Sequence, residues 1–167
     1  KIFNTSMIRI QTYRPEYCQG IIDLILPIQQ IEFQVPITLE DQPDLLQIPE
    51  VYQHGNGNFW VATNSENRVV GTIAFIGFGG NRVALRKMFV AADYRGKRYG
   101  LAQKLMDLSL DWCHEKQIES IWLGTIPRLE AAVRFYQKNG FDEVAAENLP
   151  LEFPRMPVDT LFFCKTV

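Results

Sequence analysis

The sequence predicts a single mixed α/β domain, in which a mostly antiparallel central sheet is flanked by helices on both faces. Strand-type alternation and helical spacing of apolar residues follow one another in the order β-α-α-β-β-β-α-β-α-β-β, with neither repeats nor an evident linker. One strand–helix–strand unit, Leu85 to Thr125, departs from the antiparallel pattern. Such a unit is a right-handed parallel crossover, and ligands commonly bind at the carboxyl ends of its strands.

Length and composition agree with one domain. The chain has 167 residues, and its apolar fraction of 47% is ample for a core of several strands and helices. We expect the domain to cover residues 8–167. Residues 1–7 precede the first strand-like pattern, so we expect a lead-in or an artificial extension there.

Charge and cysteine content exclude several classes of function. The net charge is −2 and the charged residues are scattered, which argues against a nucleic-acid partner and a polybasic membrane anchor. No apolar run approaches the roughly 20 residues that span a bilayer, so no membrane partner is expected. The odd set Cys18, Cys113 and Cys164 has no CxxC spacing, which argues against a disulfide framework and a metal site and favours a reducing cytoplasm.

The amino-terminal part predicts a strand, a kinked helix and an irregular segment. Residues 8–12 alternate apolar and polar side chains, and Pro15 stands where the first turn of a helix tolerates proline. The following helix contains Pro27, which implies a kink or a break because proline lacks the amide hydrogen. Residues 33–52 carry spaced prolines and a polar cluster, so we expect a short helix between loops.

The middle of the chain predicts a three-stranded meander. Its strands are Phe59–Thr63, Val69–Ile76 and Arg82–Val90. The polar residues 64–67 form the first turn by composition, and the glycine-rich residues 77–81 form the second.

The carboxyl-terminal part predicts two helices and three strands. Apolar residues spaced by four, three and four define one face of a helix: Leu101, Leu105, Leu108 and Trp112. A strand at 118–125 and a helix at 129–138 follow, and Asn139–Gly140 is typical of a helix C-cap. Residues 141–144 and 160–165 predict the two closing strands.

A basic, glycine-containing loop joins the third meander strand to the next helix. Unpaired amides and the dipole at a helix N-terminus attract anions, and Gly96 and Gly100 let the backbone approach phosphate oxygens closely. A basic helix entry without a ligand is equally compatible with this composition. The spacing of the glycines excludes both a P-loop and a Rossmann dinucleotide turn.

Residues 88–102 resemble the acetyl-CoA-binding segment of the Gcn5-related N-acetyltransferase (GNAT) family, written [RQ]-x-x-G-x-[GA]. Arg95 matches its first position and Gly100 its last, while Arg98 replaces the middle glycine. Residues 131–141 resemble the family's A-x-x-x-Y-x-K-x-G-F signature, although Leu129 stands where many members carry an asparagine that contacts the cofactor. The tail, residues 149–160, is similar to the LPxxFPxMxVDT ending of one subgroup.

The resemblance implies an enzyme that transfers an acetyl group from acetyl-CoA to the primary amine of a small molecule or peptide, by direct attack through a tetrahedral intermediate. A non-catalytic acyl-CoA-binding or regulatory module on the same fold is the alternative. Dimers are common in the family, so a homodimer is one expectation. The implied cofactor-binding residues are Met88, Phe89, Val90, Arg95, Gly96, Lys97, Arg98, Tyr99 and Gly100.

The resemblance also implies roles in the reaction. Tyr136 would be the general acid that protonates the leaving thiolate, and the backbone N–H of Val90 would stabilise the oxyanion. Three residues are candidates for the general base: Glu32, Glu40 and His54. Of these, Glu32 is the residue that we expect to act as the base.

Overall fold

A computed structural model describes residues 7–167 and contains one seven-stranded sheet with the strand order β1-β2-β3-β4-β5-β7-β6. The predicted lead-in lies outside the described residues except for Met7, which is exposed. The strands are β1 Arg9–Thr12, β2 Asn58–Thr63, β3 Val69–Gly77, β4 Arg82–Val90, β5 Ser120–Thr125, β6 Asp142–Val144 and β7 Leu161–Thr166. The helices are α1 Cys18–Pro27, α2 Ile48–Val51, α3 Leu101–Glu115 and α4 Glu130–Lys138. The predicted order of strands and helices is confirmed.

Helices cover both faces of the sheet, as predicted. Phe59 and Trp60 are neighbours on β2, so their side chains point to opposite faces. Phe59 packs edge-on against Tyr52, which follows α2, with ring centroids 5.2 Å apart. Trp60 packs against Trp112 of α3 at 5.6 Å. The core therefore consists of two layers, one on each side of the strands.

Pro27 marks a change of helix type. It is the last residue of α1, and the chain continues directly as a π-helical turn, Ile28–Glu32. The amide of Phe33 bonds to the carbonyl of Ile28 at 3.0 Å. Proline cannot supply the amide that would continue the α-helical ladder. The predicted kink or break is thus a wider turn, which carries Glu32 and Phe33 toward β4.

Strands β4 and β5 run parallel for a short distance and then separate. Their pairing extends from Arg82–Ser120 to Ala84–Trp122. Beyond that point β4 continues to Val90 along β3, whereas β5 continues to Thr125 along β7. All other neighbours in the sheet are antiparallel. The only parallel pair of this sheet, within residues 7–167, therefore opens into a cleft at its carboxyl ends.

Candidate active site

Two adjoining cavities occupy the cleft between β4 and β5. The α4 cavity, about 530 Å³, lies between the end of β4 and α4 and includes Val90, Arg95 and Phe135. The tail cavity, about 190 Å³, lies between the middle of β4, the end of β5 and residues 156–159. Residues that line both cavities are Phe33, Met88, Phe89, Leu129, Ala132 and Tyr136. A ligand in one cavity can therefore reach a ligand in the other.

The end of β4 presents a backbone donor to the α4 cavity. The amide of Ala91 bonds to the carbonyl of Val70 on β3 at 2.9 Å. Because successive N–H groups of a strand point in opposite directions, the Val90 N–H points away from β3 and into the cleft. The Val90 carbonyl also lies on the cleft side, where it accepts a hydrogen bond from Nε of Arg95 at 2.9 Å.

The basic loop, residues 95–100, connects the end of β4 to α3. Gly96 and Gly100 have φ values of +97° and +56°, a region that favours glycine. Gly100 is the N-cap of α3 and supplies no side-chain cap, so the first amides of this 15-residue helix face outward. A Cβ built on either glycine meets no atom within 4 Å, so the space above both is open.

Arg95 and Glu32 form an ion pair at the edge of the α4 cavity. Both terminal nitrogens of Arg95 bond to the Glu32 carboxylate, one of them at 2.8 Å, and both side chains are about one-third exposed. The hydrogen bonds from Arg95 lower the pKa of Glu32 below its ordinary value. The guanidinium therefore holds Val90 and the π-helical turn together, and Glu32 is a weaker base than a free carboxylate.

Tyr136 stands between the two cavities. Its side chain is 7% exposed and packs edge-on against Phe141, with ring centroids 5.8 Å apart. Burial and the nearby negative charge of Asp159 raise the pKa of the phenol. The hydroxyl therefore stays protonated throughout the neutral range.

A β-bulge shapes the middle of β4. Thr72 of β3 pairs with Phe89, but Ala74 pairs with Arg86, so one residue of β3 faces two of β4. Lys87 lies in the bulge with φ +53°, and its carbonyl accepts a 2.6 Å hydrogen bond from the Thr72 hydroxyl. A non-glycine residue in this region is uncommon and strained.

A buried polar network holds the side chain of Lys87. Its Nζ donates to Oε1 of Gln42 at 2.6 Å and lies 3.4 Å from Oδ2 of Asp44. Asp44 also accepts a hydrogen bond from the buried Tyr52 hydroxyl. Burial lowers the pKa of Lys87 to about 8, and the Asp44 charge opposes this shift. The network joins the bulge to the irregular segment before α2.

Arg86 and Asp159 line the tail cavity with opposite charges. Nη2 of Arg86 lies 3.1 Å from the Met156 sulfur, but Arg86 forms no ion pair within residues 7–167. Oδ2 of Asp159 sits 2.5 Å from where a Cβ on Gly124 would lie, so this glycine lets the carboxylate rest against β5. Burial raises the pKa of Asp159, although the charges of Arg86, Arg155 and Lys87 oppose the shift.

Most of the predicted site residues lie in the α4 cavity or in the basic loop. Met88, Phe89, Val90, Arg95 and Tyr136 line the α4 cavity, and Gly96 to Gly100 follow it in the basic loop. Glu40 and His54 are exposed and line neither cavity. Sequence reasoning missed the charged residues of the tail cavity: Arg86, Lys87 and Asp159. Two consecutive charges inside an apolar strand were the available signal for the first two.

Cys18, Cys113 and Cys164 carry free thiols. Residues 7–167 contain no group of His, Cys, Asp and Glu side chains arranged to hold a metal ion. In the same part of the chain no helix has the length and apolar character to cross a membrane.

The family model described as "Acetyltransferase (GNAT) family" matches residues 22–141. This range includes the second half of α1, the cleft strands, the basic loop and α4.

Two solved structures share this fold over most of the chain. A GNAT-family acetyltransferase from Staphylococcus aureus Mu50 is 40% identical, with a TM-score of 0.91 over 95% of this chain and 98% of the other. An acetyltransferase from Streptococcus agalactiae 2603 is 27% identical, also with a TM-score of 0.91, over 96% of this chain and 99% of the other.

A curated relative from Xenopus tropicalis is named N-acetylaspartate synthetase. It is 38% identical over 103 residues, which are 60% of this chain. The match spans 37% of the relative's own length, so the similarity covers little more than a third of that protein.

Proposed function

We propose that this chain, which belongs to the acetyltransferase (GNAT) family, transfers an acetyl group from acetyl-CoA to a primary amine. The observation that carries this proposal is the separation of β4 from β5 after Ala84 and Trp122. The separation creates two cavities that meet at Tyr136, as a reaction between two substrates requires.

The α4 cavity and the basic loop suit acetyl-CoA. The open space above Gly96 and Gly100, next to the N-terminus of α3, would receive the pyrophosphate. The pantetheine arm would enter between the end of β4 and α4, along Met88, Phe89 and Val90. The exposed Lys97 and Arg98 of the basic loop would add positive charge beside the phosphates.

The reaction would proceed by direct attack. The neutral amine nitrogen forms a bond to the thioester carbonyl carbon, and the carbonyl π pair moves to the oxygen, where the Val90 N–H stabilises the negative charge. Collapse of this intermediate breaks the carbon–sulfur bond. The thiolate takes the proton of the Tyr136 hydroxyl, and the phenolate recovers the extra proton of the cationic nitrogen that the attack created. The products are the N-acetylated acceptor and free CoA thiol.

Two measurements test the proposal. Calorimetric titration with acetyl-CoA reports binding, and release of free thiol is then followed across a panel of amines. The panel includes aspartate, whose N-acetylated form gives the Xenopus tropicalis relative its name. We expect binding and acceptor-dependent thiol release. Binding without release on any amine would favour a non-catalytic acyl-CoA-binding module, and an absence of binding would refute both functions.

The identity of the general base has a separate test. Glu32 was predicted from the sequence, but its ion pair with Arg95 lowers its pKa and leaves it a weak proton acceptor. We expect Glu32→Gln to leave the acidic limb of the pH–rate profile in place. Loss of that limb in the variant would restore Glu32 as the base.

A further inference from the structure

The tail cavity contains two opposite charges that do not neutralise each other by contact. Two other charge pairs near the cleft are in direct contact: Lys87 lies 3.4 Å from Asp44, and Arg95 is bonded to Glu32. Arg86 and Asp159 line the same cavity, yet within residues 7–167 neither forms an ion pair. Withdrawing charges from water without direct partners is costly, and such groups mark ligand sites.

Arg86 is the cationic end of this cavity. Within residues 7–167 its guanidinium donates one hydrogen bond, to the thioether of Met156 at 3.1 Å, and a thioether is a weak acceptor. Its planar set of donors matches a carboxylate, which binds in bidentate fashion. Lys87, the neighbouring cation, is already engaged by Gln42 and Asp44. Arg86 is therefore the residue of β4 that is available to an anionic group.

Asp159 is the anionic end. Its carboxylate lies against Gly124 of β5, and its negative charge acts on Tyr136 across the cavity. The charged groups that face it are Arg86 and Lys87 of β4 and Arg155 of the same loop. Asp159 therefore lies near the phenol that the proposed reaction uses, on the side away from the basic loop.

From this arrangement we infer that the acceptor is a small molecule that carries both a primary amine and a carboxylate. The carboxylate binds Arg86, and the amine lies between Asp159 and Tyr136. The inference rests on the proposed function, since it names the acceptor of the same reaction. The cavity volume of about 190 Å³ suits a small molecule of this kind.

Asp159, rather than Glu32, then acts as the base. The ammonium form of the acceptor gives one proton to the Asp159 carboxylate, and the neutral nitrogen attacks the thioester. Asp159 later releases this proton to solvent, while Tyr136 protonates the thiolate and is reprotonated by the cationic nitrogen that the attack created. The overall reaction thus releases one proton for each N-acetylated product and free thiol.

Acceptor pairs that differ only in their carboxylate test the inference. Thiol release is measured with amino acids and with the corresponding amino acid amides, and polyamines serve as amines without a carboxylate. We expect at least one acid to exceed its amide about tenfold or more in kcat/KM, because a charged hydrogen-bond pair is lost in the amide.

Variants assign the preference to Arg86. Arg86→Met should reduce the ratio of kcat/KM for the acid to kcat/KM for the amide to near one. Arg86→Lys should retain part of the preference for the acid. Arg82→Met is the matched control: Arg82 lies on the same strand but pairs with Glu152 outside the cleft, so this variant should keep the ratio. Asp159→Asn should remove the acidic limb of the pH–rate profile while acetyl-CoA still binds.

The outcomes separate this inference from the proposed function. Amides or polyamines that react as well as acids, or an unchanged ratio in a folded Arg86→Met or Arg86→Lys variant, would overturn the inference and leave the acetyltransferase proposal standing. If the protein does not bind acetyl-CoA, the proposed function fails and the inference fails with it.

Discussion

The α4 cavity and the tail cavity meet at Tyr136 but are built in different ways. The α4 cavity depends on backbone: the N–H of Val90 that points into the cleft, the open glycines of the basic loop and the N-terminus of α3. The tail cavity depends on side-chain charges, contributed by the bulge of β4 and the loop before β7. The difference suits the two proposed substrates. Backbone groups would bind the donor, acetyl-CoA, whereas charged side chains would select the acceptor.

The two regions also differ in strain and buried charge. On the tail side, Lys87 adopts a positive φ without being glycine, and its ammonium is buried beside Asp44. On the α4 side, positive φ values fall on Gly96 and Gly100, and the Arg95–Glu32 pair is partly exposed. Strain and buried charge, both of which cost folding stability, are therefore concentrated at Lys87 on the tail side.

The largest expected effect is at the boundary of the two cavities. Tyr136→Phe removes the proposed proton donor without changing the packing of the ring, so kcat should fall about 100- to 1,000-fold. The affinity for acetyl-CoA should stay within about twofold, because the hydroxyl acts on the leaving group. Calorimetry and thiol release measure the two quantities.

Tyr13→Phe is the matched control for this variant. Tyr13 is also a buried tyrosine, but it lies after β1 at the far edge of the sheet. An equal loss of kcat in both variants would point to a general effect on folding and would remove Tyr136 from the acid role.

The cost of the buried Lys87 should appear as a pH dependence of stability. Its pKa is about 8 in the folded protein against an ordinary value of 10.5, so the unfolded chain binds more protons between these values. Through this group, the free energy of unfolding therefore rises as the pH increases from about 8 to about 10.5.

Lys87→Met lacks the titrating group. Relative to this variant, wild-type stability should increase across that range by up to about 3 kcal/mol, as measured by urea unfolding at several pH values. Lys104→Met, which changes an exposed lysine of α3, should follow the wild-type pH dependence. A parallel pH dependence in wild type and Lys87→Met would mean that Lys87 is not desolvated.

A smaller effect is expected in the basic loop. Gly100→Val places a side chain in the open space above α3 and forces valine into a left-handed conformation, so acetyl-CoA affinity should fall about tenfold or more. Gly55→Val is a matched control, because Gly55 has φ +59° and equally open surroundings but lies in the loop before β2. Comparable losses of acetyl-CoA affinity in both variants would mean that backbone strain, and not obstruction of the basic loop, causes the loss.

The smallest effect is expected at Gly124. Gly124→Ala would bring a Cβ within 2.5 Å of Asp159 and displace the carboxylate, lowering kcat/KM for the acceptor by about three- to tenfold. The affinity for acetyl-CoA should not change.

Gly20→Ala creates similar crowding against Val69, at 2.7 Å, at a site remote from the tail cavity. This control variant should keep the wild-type kcat/KM. Wild-type kinetics in Gly124→Ala would contradict the placement of Asp159 in the acceptor site.

The same division explains what could be predicted from the sequence. The basic loop and its flanking elements could be predicted because they are contiguous in the sequence: a strand, two glycines and a helix start lie within residues 88–102. Tyr136 likewise lies on an amphipathic helix that is ended by Asn139–Gly140. The fold followed from equally local periodicity, and the bounds of β4 were predicted to the residue.

The tail cavity could not be predicted in that way. Gln42, Arg86 and Asp159 come from separate segments that only the folded sheet brings together. Lys87 has a positive φ although it is not glycine, so the sequence contains no glycine that would indicate the bulge. Pro27 signalled a break in α1, but the wider turn that carries Glu32 to Arg95 depends on tertiary contacts.

The separation of the two cavities is tested most directly by one titration: acetyl-CoA into the double variant Arg86→Met/Asp159→Asn, followed by calorimetry. If the charges of the tail cavity serve the acceptor alone, the dissociation constant for acetyl-CoA should stay within about twofold of the wild-type value. A loss of about tenfold or more in a folded protein would contradict this, because it would place Arg86 or Asp159 in the binding site of the donor.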